Sequence, residues 1–191
     1  MATHNHNYAL KPANTLLTGA PGCGKTTVVV KTARLIAPLR VSGFYTEEIR
    51  EGRSRVGFKI VTFGGEEGIL SHVEFKGGPK VAKYTVDLKG FERIALPALA
   101  DHADTDVFII DEIGKMECFS QRFRQAVGQL IAGRTAVLAT IARKGAGIIS
   151  ELKTRHDVDL IEVTHANRDE LPAALARRIR SLITQSPPKA N

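Results

Sequence analysis

The chain has 191 residues, 43% of them apolar and 25% charged, with a formal net charge of +7. Length and apolar content suffice for one domain with a sizeable core, and no apolar run approaches the roughly 18 residues of a membrane span, which argues against a membrane protein. The positive charge permits attraction to polyanions, but a nucleotide site also needs cations, so charge alone does not select a nucleic-acid partner.

The opening MATHNHNYALKPAN is polar and lacks the apolar centre of a signal peptide, so residues 1–13 read as a flexible tail and the protein as cytoplasmic. Residues 14–18, NTLLT, form a short buried-strand candidate that runs into GAPGCGKTT, and KTTVVVKTARLIA after it has helical spacing. VSGFYTEEIREGRSRVGFKIVTF reads as two extended runs around the turn EGRS, a β-hairpin, and ILSHVEF as a third run beside it. Residues 77–83 are loop-like, and KGFERIALPALADHA is a helix that Pro97 kinks or breaks. From there strands alternate with helices: DVFIID, FSQRFRQAVGQLIAG, RTAVLAT, AGIISELKTRH, VDLIEVT and RDELPAALARRIRSLIT. Such alternation implies parallel strands joined by right-handed crossovers. The expected architecture is one α/β sandwich over residues 14–184, with a mostly parallel sheet, an antiparallel β-hairpin insertion after the first helix, and a polar tail over 185–191.

Gly19, Gly24, Lys25 and Thr26 satisfy G-x-x-x-x-G-K-[ST], and the strand before and helix after supply the context this phosphate loop requires. Residues Gly19, Ala20, Pro21, Gly22, Cys23, Gly24, Lys25, Thr26 and Thr27 are expected to cradle phosphates with backbone N–H groups and the helix N-terminus. Lys25 adds a charge for the β- and γ-phosphates, and the Thr26 hydroxyl is a ligand for Mg²⁺. In VFIIDEIGKME, apolar residues lead to Asp111 at the C-terminal end of a strand, where open α/β sheets present ligands; this carboxylate would hold Mg²⁺ through water. Glu112 can orient a water toward the γ-phosphate, or act as a helix N-terminal charge.

Thr140 ends the strand RTAVLAT and would sit beside the first strand if one strand separates the phosphate-loop strand from the Asp-Glu strand; its hydroxyl could then sense the γ-phosphate or the attacking water, or simply cap the strand. Asn167, in the loop after the last strand, could meet the base or cap a helix. Lys115, Arg143 and Lys144 are candidate cations for transition-state charge, against a solvated role. Cys23 lies near a helix N-terminus, an environment that favours the thiolate and oxidation. Cys23 and Cys118 show no zinc or disulfide spacing and read as reduced thiols.

GAPGCGKTT, SGFYTEEIR with RVGFKIVTF, KYTVDLKGFERIALPAL, IIDEIGKME, VLATI and VTHANRDELP together resemble the family of cancer-related nucleoside-triphosphatases, small P-loop NTPases of thermophiles and animals. The resemblance runs from Asn14 to about Leu182. It implies a three-layer P-loop NTPase sandwich of the RecA-like, ASCE type, and an Mg²⁺-dependent hydrolysis of ATP, GTP and other nucleoside triphosphates. It supports Asp111 as the metal-side carboxylate and Glu112 as the water-activating one, and points again to Lys115. One departure is Ala142, where family members often carry His or Pro. Two alternatives stand beside hydrolysis. A nucleotide or small-molecule kinase would replace water with an acceptor, although ARKGAG is short for an arginine-bearing lid. An RNA- or DNA-dependent ATPase would account for the charge, yet no basic, aromatic-rich surface is visible. A monomer or weak oligomer is expected.

Overall fold

In the stretch VFII every residue is apolar, so neither face of that strand can meet water and helices must cover both. The computed structural model describes residues 14–100 and 104–185. Its elements in chain order are β1 (Asn14–Thr18), α1 (Lys25–Leu35), β2 (Val41–Glu51), β3 (Ser54–Thr62), β4 (Glu67–His72), β5 (Lys80–Val81), β6 (Tyr84–Val86) and α2 (Leu88–Ala98). There follow β7 (Val107–Ile113), a 3₁₀ turn (Glu117–Phe119), α3 (Gln121–Ala132), β8 (Ala136–Ile141), α4 (Ile148–Lys153), β9 (Val158–Glu162) and α5 (Leu171–Gln185). All strands join one sheet in the order β5-β6-β4-β3-β2-β7-β8-β1-β9.

The side chains of β7 alternate between two cores. Phe108 and Ile110 pack with Phe91 of α2, Phe123 and Val127 of α3, and Ile149 and Leu152 of α4. Val107 and Ile109 pack with Val28 and Val29 of α1 and Leu175 and Ile179 of α5. Strand β8 divides the same way, Val137 and Ala139 against Ala136 and Leu138. Two helical layers thus sandwich the sheet, as the two-sided apolar strands demand. Among the described residues no helix is long and apolar enough to cross a membrane.

The expected parallel and antiparallel parts are both present, but their seam lies elsewhere than the hairpin suggests. Strand β2 pairs parallel with β7 and antiparallel with β3, so the first arm of the hairpin is itself a strand of the parallel core. Strands β3, β4, β6 and β5 then extend that sheet antiparallel. The 77–83 segment is not all loop: Lys80 and Val81 pair with Thr85 and Tyr84, a pairing too short to leave a periodicity. Helix α2 ends at Ala98 with Pro97 in its last turn, and 101–103 of the longer predicted helix lie outside the described residues. Gln185, expected to open the tail, is the last residue of α5; the expected tail segments 1–13, with its HNHN, and 186–191 lie outside the described residues.

Candidate functional site

The phosphate loop occupies the turn between β1 and α1, and its glycines are there for space as well as shape. A Cβ on Gly19 would lie 2.5 Å from the Val163 carbonyl oxygen and 2.9 Å from Cys23 Sγ, so the loop is clamped between the residue that follows β9 and its own cysteine. Gly24 sits at the N-cap of α1 with φ 105°, in the left-handed region that glycine tolerates. Helices α2 and α3 are capped by the Asp87 and Ser120 side chains, which accept from Gly90 N–H (2.9 Å) and Phe123 N–H (3.0 Å). Helix α1 has no such side-chain bond. Its first N–H groups therefore keep their donor capacity for an anion. Lys25 Nζ rests 3.4 Å from the Gly19 carbonyl and 3.5 Å from that of Ala20. Ala20, Pro21, Gly22 and Thr27 are exposed along the loop. Cys23 turns inward: it is 3% exposed, packed with Leu17, Val28 and Val163, and its N–H donates to the Ala20 carbonyl at 3.2 Å. The oxidation-prone thiol expected at this position is therefore buried in the core.

Asp111 and Glu112 both lie within β7, whose C-terminal end faces the loop. Glu112 is thus a strand residue, and the reading of it as a helix N-terminal charge does not hold. Asp111 is 1% exposed, and several hydroxyl and amide groups converge on its carboxylate. Thr140 of β8 donates to Oδ1 at 2.6 Å, and the Thr46 hydroxyl and N–H of β2 approach Oδ2 at 3.3 and 3.5 Å. Thr26 of α1 is a further hydrogen-bond partner. Burial raises the Asp111 pKa, while these hydrogen bonds and the Lys25 charge pull it back down. The strand order places β8 between β7 and β1, the arrangement on which the expected position of Thr140 depended. There its hydroxyl is engaged by Asp111.

The Thr26 hydroxyl and the Asp111 carboxylate are hard oxygen donors side by side. Among the described residues there is no cluster of three or more His, Cys, Asp or Glu that would hold an ion by itself. The pair fits an ion that takes its other ligands from phosphate and water, as Mg²⁺ does.

A cavity of about 750 Å³ opens over the loop, lined by Lys25, Thr26, Glu112, Lys115, Glu117 and Lys144, and continues to Thr46, Phe58, Leu70 and Val81 on the antiparallel strands. Burial raises the pKa of Glu112; Lys25 lowers it, Asp111 raises it and Lys153 lowers it. Its carboxylate has no hydrogen bond to protein among the described residues. Glu117, on the 3₁₀ turn, is buried and its carboxyl is pushed up to about 8, chiefly by desolvation and then by the Glu112 and Asp111 charges, against the N–H groups of Glu117 and Gly114 that it accepts from. A Cβ on Gly114 would lie 2.8 Å from Glu117 Oε2 and 3.2 Å from Glu112 Oε1, so the glycine lets two carboxyls approach the same wall.

Of the expected cations, Lys115 is exposed on the cavity wall and Lys144 lines it too. Arg143 instead pairs with Glu162 at 3.7 Å. Asn167 uses its side chain on its own loop: Oδ1 accepts from Thr164 N–H at 2.8 Å and Nδ2 donates to the Glu162 carbonyl at 2.9 Å. It shapes the loop after β9 rather than capping a helix. Arg50 and Arg55 pair with Glu48, Arg178 with Asp159, and Arg180 donates to the Leu35 and Ala37 carbonyls. Cys118 is partly buried in the α2–α3 core, and burial pushes its thiol up to about 12.

Sequence reasoning missed Thr46 and Lys153. Thr46 stands in the distinctive GFYTEE segment, which signals interest without assigning a role. Lys153 looks like an ordinary helix residue, yet its Nζ donates to the Ala142 and Arg143 carbonyls at 2.6 and 2.8 Å, and its charge acts on Glu112. Only the fold brings α4 back beneath the loop after β8.

Comparison with known proteins converges on one group. A family model described as NTPase matches residues 14–176. The nucleoside-triphosphatase THEP1 of Thermotoga maritima is 43% identical over 157 residues, covering 82% of this chain and 89% of that protein. The cancer-related nucleoside-triphosphatase of Homo sapiens is 43% identical over 172 residues, covering 81% of this chain and 90% of the human protein. The crystal structure of THEP1 from the hyperthermophile Aquifex aeolicus matches with a TM-score of 0.78 at 36% identity, over 87% of this chain and 98% of that one.

Proposed function

The chain belongs to this NTPase family and is a nucleoside-triphosphatase, a hydrolase; from that premise we propose that it cleaves the β–γ bond of ATP, GTP and other nucleoside triphosphates, with Mg²⁺, to the diphosphate and phosphate. The observation that carries the reading is Glu112, a carboxylate on the cavity wall under the influence of Lys25, without a hydrogen bond to protein among the described residues. A group so placed has both its oxygens available to a water.

In this mechanism the loop N–H groups and Lys25 bind the β- and γ-phosphates, and Thr26 and Asp111 are the residues that would hold the metal. When bound there, Mg²⁺ would supply charge neutralisation and Lewis-acid polarisation of the phosphates. Glu112 accepts a hydrogen bond from the attacking water and holds its oxygen in line with the bond to be broken. As the water oxygen bonds to the γ-phosphorus its proton passes to the Glu112 carboxylate and the bridging P–O bond breaks, its electron pair leaving with the diphosphate, where Lys25 stabilises the charge. Lys115, on the cavity wall beside Lys144, is the further cation assigned to transition-state charge. Thr140 and Thr46 act through Asp111 by fixing its carboxylate. Free Cys23 and Cys118 suit a cytoplasmic location, which is part of the proposal.

Phosphate release from Mg-ATP, Mg-GTP, Mg-CTP and Mg-UTP without any acceptor tests the reading. Equal yields of diphosphate and phosphate are expected from each. One observation favours a second reading, transfer to a small acceptor: the cavity continues past Glu112 to Phe58, Leu70 and Val81. A preparation that is silent until an acceptor is added would replace hydrolysis with that reading.

A further inference from the structure

We propose that Arg168 is the platform on which the nucleobase of the bound triphosphate rests, making the loop between β9 and α5 the base subsite. This rests on the phosphate loop holding a nucleoside triphosphate, as proposed above. The direction of the ligand follows from the sheet order. Glu112 lies on β7, two strands to one side of β1, and β9 lies on the other side. A γ-phosphate that faces Glu112 sends the nucleoside the opposite way, over the β1–β9 edge and onto the loop beyond β9.

That loop is built to hold a fixed shape against the phosphate loop. Val163 N–H donates to the Thr18 carbonyl at 2.7 Å, and the Val163 carbonyl occupies the space that a Cβ on Gly19 would need. Asn167 closes the turn with its two side-chain bonds, and the Arg168 N–H donates to the Thr164 carbonyl at 3.1 Å. The Arg168 side chain then lies across Gly24: its Cδ is 3.4 Å and its Nη1 4.0 Å from where a Cβ on that glycine would sit. Arg168 is half-buried, and among the described residues its guanidinium has no hydrogen bond or ion pair. A partly desolvated arginine without a partner is costly unless a ligand covers it.

Asn167 was the sequence-based candidate for the base, but both its polar groups already serve the loop. Its neighbour is free. A guanidinium plane stacks on the face of any base and carries little information about the base edge. The subsite therefore supplies affinity for nucleosides in general, greater for purines because their faces are larger.

Binding of Mg-AMPPNP, of the corresponding cytidine analogue and of Mg-tripolyphosphate to the full chain, measured by calorimetry, separates the roles. Arg168→Ala is expected to weaken AMPPNP binding about tenfold, the cytidine analogue less, and tripolyphosphate by less than twofold. Arg168→Lys, which keeps the charge but not the plane, is expected to recover only part of the loss; it also serves as the folding control through its melting temperature. Equal weakening of tripolyphosphate would make Arg168 a phosphate ligand and overturn the proposal. Unchanged AMPPNP binding in Arg168→Ala would overturn it as well. A parent protein that binds neither nucleotide nor tripolyphosphate defeats the triphosphate reading itself, a result visible before any variant is made.

Discussion

Replacing Glu112 with glutamine keeps the size of the side chain and removes its charge and its ability to take a proton. Positioned acid–base groups contribute about 10²- to 10⁴-fold to rate, which is about 3–5 kcal/mol of barrier, so turnover should fall by that factor. Stability should move the other way or stay put. Desolvation is the largest influence on Glu112 and disfavours its charged form, and no protein hydrogen bond is lost on substitution. Binding should hold or tighten slightly, because one negative charge leaves the neighbourhood of the phosphates. Three measurements decide it: steady-state phosphate release, calorimetric affinity for Mg-AMPPNP, and a thermal melt. Turnover within threefold of the parent would remove Glu112 from the chemistry. A lower melting temperature with lost binding would mean that the carboxylate is structural and the whole argument from its free oxygens is wrong.

Thr140→Val leaves the buried Asp111 Oδ1 without its 2.6 Å donor; a hydrogen bond to a charged group is worth about 1.5–3 kcal/mol, so turnover should drop about 10- to 100-fold and need more Mg²⁺ for saturation, with Thr140→Ser close to the parent in a magnesium titration. Glu117, whose carboxyl is raised from 4.5 to about 8, holds a proton in the folded state that the unfolded chain has released across that window. Its contribution is full below the lower value and is lost as pH rises through the upper one, at a slope of about 1.4 kcal/mol per pH unit between them; Glu117→Gln should flatten this part of a urea-stability profile taken from about pH 5 to about pH 8, and an unchanged slope would mean that the group is not neutral in the fold. Lys153→Met removes the bonds to the Ala142 and Arg143 carbonyls. It should lower the melting temperature, with lost turnover accompanying it, whereas an unaltered melt would show that the loop after β8 holds without the lysine.

Much of the site is local in sequence and was legible for that reason. The nine residues GAPGCGKTT contain the glycines, lysine and threonine of the phosphate loop within one turn, and the strand and helix beside them need no distant contact to be recognised. Asp111 and Glu112 follow an apolar strand directly, so their place at its end could be read from the chain. The hairpin was legible as two extended runs, but not as the junction of the parallel and antiparallel parts, because a strand's pattern does not name its neighbours. Asn167 shows the same limit: a donor and an acceptor in a loop suit a base or a backbone equally until the turn is closed.

Sequence alone therefore determined the glycine-rich loop between strand and helix, the paired carboxylates and the alternation of strand and helix, each set by residue types within a few positions of one another. Tertiary structure decided what those groups touch. It brought Thr46 from β2, Thr140 from β8 and Thr26 from α1 to one carboxylate, folded Lys153 under the loop after β8, turned Cys23 into the core, and laid Arg168 over Gly24. Those contacts depend on which strands pair and in what register, and strand order is settled by the burial of whole faces rather than by any short run of residues.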